Sequence, residues 1–160
     1  AGAAAAQGDV LLFLHADYRL LPGAFDAIRR ALTEAQSIGG CFRQSIDAPG
    51  LKYRLLEKGN DLRVKASKWA YGDQGIFVRH AVFRHIGGFP DLKLMEDLFL
   101  MKRLKRAGRI VLLDVRLQVS PRRWEQGGVI RQTLRNWTWL ALVQCGLSPN
   151  RLARSYVDVR

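Results

Sequence analysis

Residues 10–14, Val-Leu-Leu-Phe-Leu, form an unbroken apolar run that ends on His15-Ala-Asp17. Alternate residues of a strand point to opposite sides, so a strand with one wet face would interrupt such a run with polar residues. Five residues are too few for a helix of their own. The run therefore reads as a strand covered on both faces, as in a parallel sheet. The polar triplet then falls at the carboxyl end of that strand, which in an open parallel sheet faces the ligand crevice.

The following residues extend the pattern. Pro22 suits a first helical position, and Phe25, Ile28, Arg29 and Leu32 keep helical spacing to about residue 35. Residues 39–46 predict a second strand, and Pro49-Gly50 separates it from a basic helix marked by Leu51, Leu55, Leu56 and Leu62. Tyr71-Gly-Asp-Gln-Gly75 is a turn leading into a short strand at 76–78, and a short helix through Val82, Phe83 and Ile86 stops at Gly87-Gly88. Glu96 and Asp97 open a helix whose last turn is basic, an arrangement that suits the helix dipole. Residues 109–113 and 116–119 read as two strands, and a long amphipathic helix spans about 129–145. No repeat or low-complexity linker divides the 160 residues. The expectation is one α/β domain with a mostly parallel sheet flanked by helices.

Charge limits the partners. Lys and Arg number 26 against 14 Asp and Glu, a net charge of +12, so some face must attract anions. Nucleic acid, an anionic membrane and a phosphorylated substrate all qualify. The basic residues are spread over several helices and form no nucleic-acid-binding motif, which leaves a basic nucleic-acid-binding module as the alternative rather than the main reading. The best apolar stretch, Trp137 to Val143, falls well short of the roughly 20 residues that span a bilayer. Cys41 and Cys145 stand far apart with no second Cys or His at ligand spacing. That argues against a zinc module and fits a reducing compartment, so a cytoplasmic location is expected.

Four groups of residues can do chemistry. Asp17, held by rigid backbone yet reaching solvent, suits a divalent-cation ligand and equally suits the cap of a turn. Glu96 and Asp97 are adjacent carboxylates of which only one can point into a given cleft; it could act as base or ligand, and first-turn acids also serve simply as dipole partners. Arg122-Arg123-Trp124 offers two guanidinium groups and an indole, fitted to grip a diphosphate and pack on a sugar ring, or else to form a solvated basic turn with a buried Trp. Asp73 and Gln74 lie in the turn expected at the same sheet end, where they would contact substrate. His80 and His85 are five apart and do not share a helix face, which argues against a metal pair between them.

Taken in order, Gly8-Asp-Val-Leu-Leu-Phe-Leu-His-Ala-Asp17, Gly72-Asp-Gln-Gly-Ile-Phe-Val-Arg79, Gly87-Gly-Phe-Pro90, Met95-Glu-Asp97 and Arg122-Arg-Trp124 resemble the family 2 glycosyltransferases. The likeness is strongest toward a bacterial branch with Leu-His-Ala-Asp and Arg-Arg-Trp-Glu elements, and it runs from Ala1 to about Tyr156. It implies a Rossmann-like fold of the GT-A type and inverting transfer of a sugar from a nucleotide-diphospho-sugar to an acceptor hydroxyl. Asp17 matches the last acid of the family's Asp-x-Asp motif, which binds Mg²⁺ or Mn²⁺. His15 replaces the first acid, and imidazole also ligates Mn²⁺. Asp97 matches the general base, with Glu96 orienting the acceptor or holding the helix start. Arg122, Arg123 and Trp124 resemble an element of processive members, but Ser120 stands where those carry Gln, so diphosphate clamping is the role implied here.

In such proteins the strands that read the nucleotide base precede the Asp-x-Asp region. The resemblance therefore implies that residues 1–160 are the metal, catalytic and acceptor part without the N-terminal nucleotide-binding part, a fragment expected to be inactive alone. The acceptor is unidentified. A lipid-linked acceptor, with peripheral contact at the inner face of the cell membrane, would follow if the helix bearing Trp137, Trp139 and Leu140 lay on an anionic bilayer. Packing of that helix's apolar face against the sheet is the simpler expectation.

Overall fold

Adjacent glycines sit at the middle of the sheet because nothing larger fits there. A Cβ on Gly39 would run into the Phe77 carbonyl oxygen, and one on Gly40 into that of Val111. Both belong to β3 (Gly39–Ile46), the central strand of the computed structural model, which describes residues 2–153. Residue 1 and residues 154–160, where the family likeness ends at Tyr156, lie outside the described residues. The other strands are β1 (Val10–Phe13), β2 (Tyr18–Leu20), β4 (Ile76–Arg79) and β5 (Ile110–Val119). The helices are α1 (Gly2–Ala5), α2 (Ala24–Thr33), α3 (Leu51–Ser67), α4 (His80–His85), α5 (Glu96–Ala107), α6 (Arg122–Gly127), α7 (Val129–Gln144) and α8 (Pro149–Leu152).

The architecture is α/β, with a five-stranded sheet in the order β1-β4-β3-β5-β2. The expected mostly parallel sheet is not what forms. β1–β4, β3–β4 and β2–β5 are antiparallel, and only β3–β5 is parallel. Continuous apolar runs report that both faces of a sheet are covered; they do not report strand direction. Here the covering layers suffice. Phe42, Phe77 and Leu117 face a core with Ala24, Ile28 and Leu32 of α2, while Cys41, Ile76 and Val78 face the opposite core with Leu100, Met101 and Leu104 of α5. The alternation Ile76/Phe77/Val78 between two cores is the strand period expressed in packing.

The two strands expected at 109–113 and 116–119 are one. A register shift places Leu113 opposite Phe42 but Arg116 opposite Arg43, so Asp114 and Val115 form a bulge, with Asp114 exposed and Val115 packed against the core. Asp114 meets Arg43 there at 2.9 Å. The short strand β2 and the helix α6 had no periodic signal. Cys41 is buried and Cys145 exposed, and both are free thiols. Burial pushes the Cys41 thiol up to about 12.

Candidate active site

The antiparallel pairing of β1 with β4 sets Phe13 opposite Ile76, so residues just after β1 run beside those just before β4. His15 therefore meets the single 3₁₀ turn Gly72–Gln74. The chain then doubles back tightly, with the Tyr18 amide donating to the His15 carbonyl at 3.2 Å and the two rings 5.1 Å apart. A third segment arrives from α5. Met95 adopts a left-handed conformation (φ 61°), which turns the chain so that Asp97 lies in the first turn of the helix.

Backbone amides hold the Asp97 carboxylate from two directions. The Gly72 N–H donates to Oδ2, and the Leu98 N–H donates to Oδ1 at 2.7 Å. A Cβ on residue 72 would lie 3.1 Å from His15 Nε2 and 3.3 Å from Asp97 Oδ2. The imidazole and the carboxylate thus converge on the space that glycine leaves open. Withdrawal from water raises Asp97 to about 6; the Gly72 amide opposes this, and the neighbouring Glu96 charge adds to it. A carboxyl group near 6 is mostly ionised at neutral pH and more basic than an ordinary aspartate.

These groups line a cleft of about 190 Å³. Its wall includes five of the residues expected from sequence: His15, Asp73, Glu96, Asp97 and Arg123. Asp73 Oδ1 is buried without a hydrogen-bond partner. Tyr18 is half-buried and packs against the α2-side core. Its hydroxyl is held in the protonated form first by burial and then by the charges of Asp73 and Asp17, with Arg123 opposing and Asp97 adding.

Four expected residues are elsewhere. Asp17 is exposed and does not line the cleft, although its charge reaches Tyr18. Gln74 is fully buried and accepts from Arg63 Nη2 at 2.7 Å, so it braces the turn instead of facing substrate. Trp124 is buried in the α2-side core and touches only a narrow neighbouring pocket of about 30 Å³. Arg122 is exposed outside the cleft. Packing explains these departures: α6 is a helix, so Arg122, Arg123 and Trp124 point about 100° apart and only one can face the cleft.

Three cleft residues were missed: Tyr71, Asn136 and Trp139. Asn136 and Trp139 come from α7, which folds back over the sheet end after α6; their i, i+3 spacing was visible, but not where that face would land. Arg135 lies over the Trp139 ring, 5.1 Å from its centroid. Among the described residues no group of three or more His, Cys, Asp or Glu side chains could hold a metal ion. Of the expected metal ligands, His15 lines the cleft and Asp17 is exposed outside it. No protein-family model, curated protein or solved structure matches the chain.

Proposed function

We propose that the protein belongs to an inverting glycosyl-transfer system that moves a sugar from a nucleotide-diphospho-sugar to an acceptor hydroxyl, with Asp97 as general base. The observation that carries this reading is the convergence of His15, Asp73, Asp97 and Arg123, from four distant chain segments, on one cleft around a carboxylate raised to about 6. The ordered motifs resembling family 2 glycosyltransferases agree with it.

An alcohol is a weak nucleophile, so the reaction needs a base within hydrogen-bond reach of the attacking oxygen. Asp97 takes the acceptor proton as that oxygen bonds to the anomeric carbon. The bond from this carbon to the diphosphate breaks, and its electron pair leaves with the nucleoside diphosphate. Arg123 on the cleft wall supplies positive charge toward the departing group. Asp73 on the cleft wall offers a carboxylate to a sugar hydroxyl, and Trp139 on the same wall offers an aromatic ring to the sugar. The amides of Gly72 and Leu98 fix the base without neutralising it.

The test is Asp97→Asn, assayed for transfer of label from nucleotide sugars in the intact protein. Turnover should fall on the order of 10³-fold while donor affinity stays within about threefold. Unchanged turnover would remove Asp97 from the mechanism.

A further inference from the structure

We propose that the face formed by α3 and α7 docks on an anionic lipid bilayer. The sequence favours packing of α7 against the sheet, yet only Gln132 and Val143 of that helix are buried. Ile130, Leu134 and Trp137 stand 76%, 55% and 62% exposed, at i, i+4 and i+7, so one apolar stripe of the helix faces outward. A second stripe runs along α3, where Leu51, Leu55 and Leu62 are 73%, 60% and 68% exposed. Between the helices lies a groove of about 530 Å³ floored by Leu55, Leu56, Trp137 and Leu140. Exposed apolar residues gathered into one patch mark a contact surface, whereas isolated ones need no explanation.

Charge selects the occupant. Lys52, Lys58 and Lys65 of α3 and Arg131 of α7 are exposed. Lys58 and Lys65 share the face of Leu55 and Leu62 by helical spacing. The acids of α3 are neutralised: Glu57 is buried against Arg54 and Arg116, and Asp61 pairs with Arg43. α7 contains no acid. A second copy of the chain would set these like charges against one another. Residues 154–160, with two arginines to one aspartate, offer no compensating charge. Leucines, a tryptophan and unopposed lysines on one face match the boundary between anionic headgroups and acyl chains. No helix among the described residues is long and apolar enough to cross a membrane, so the contact is peripheral.

Docking goes beyond the proposed transfer reaction and is measured without it. The groove shares Asn60, Arg63, Thr133 and Trp137 with the narrow pocket, which in turn shares Tyr71, Asp73 and Asn136 with the reactive cleft. A membrane-borne acceptor would thus have a path along the protein to Asp97.

The experiment is flotation of the full chain with vesicles of phosphatidylglycerol and phosphatidylcholine, compared with phosphatidylcholine alone. Binding is expected only to the anionic vesicles, falling at least about tenfold in Leu134→Glu/Trp137→Glu and in Lys58→Glu/Lys65→Glu. Phe25→Glu, at an exposed apolar site on α2, controls for nonspecific effects and should float like the parent. Circular dichroism identifies variants that fail to fold; for these, Trp137→Ser with brominated lipids replaces flotation, and quenching of tryptophan emission should drop. Absence of flotation with anionic vesicles overturns the proposal. So does equal loss in Phe25→Glu, or a solution dimer that Leu134→Glu dissociates.

Discussion

Glu57 and Asp97 are both carboxylates drawn away from water, and the molecule treats them in opposite ways. Glu57, on α3, is 5% exposed and fully compensated: Arg54 at 2.9 Å, Arg116 at 3.5 Å and the Ile46 amide at 2.6 Å all approach it. Asp97, at the start of α5, receives two backbone amides and has a like charge beside it in Glu96. The first arrangement ties α3 to the end of β3 and leaves the carboxylate no spare capacity. The second leaves a carboxylate with a raised pKa on the wall of a cleft. A withdrawn acid with cationic partners is fastening, and one held by amides and facing an open cleft is suited to move a proton.

The largest effect separates the two directly. Glu57→Ala leaves the Ile46 amide without an acceptor and takes away the shared partner of the half-exposed Arg54 and Arg116, and should lower unfolding free energy by about 1–3 kcal/mol in urea titration. A loss under 1 kcal/mol would erase the contrast.

The pH response comes next; Asp97 contributes to it together with Asp61, which burial raises in the same direction. The folded value of about 6 for Asp97 lies above the 3.8 expected when exposed, so between pH 4 and 6 the folded state keeps a proton that the unfolded state has lost. Stability should therefore fall as pH rises through that window, and Asp97→Asn should flatten this part of the thermal-melt profile. Transfer activity should climb over the same range as the base deprotonates.

Gly72→Ala probes the cleft geometry more gently. The added methyl would press on His15 Nε2 and Asp97 Oδ2, and kcat should drop about tenfold while stability changes by less than about 1 kcal/mol. Smallest of all is the stability change in Asp97→Asn at pH 7, where relief of an ill-hydrated charge offsets weaker acceptance from the two amides; a shift within about 1 kcal/mol is expected. An unfolded Asp97→Asn would make Asp97 a fastening residue like Glu57.

Much of the local structure was legible. The stretches 24–33, 76–79 and 96–107 carry helical or apolar-run signals, and each forms the element those signals predict, while the less regular 39–46 also forms the strand expected there. β2 gave none because its three residues gain their place only by pairing with β5. α6 gave none either, because six residues hold too few helical repeats to show a period. His15, Asp73, Glu96, Asp97 and Arg123 were singled out from sequence and line one cleft. Gln74 and Trp124 were singled out too, but lie buried behind it.

The order of apolar and polar residues determined which segments become helix or strand, because those choices depend on neighbours a few positions away. Strand direction, the outward turn of α7 and the meeting of His15 with Asp97 depended on tertiary structure. Each is decided by contacts between segments tens of residues apart, and no local pattern records where a partner segment will pack.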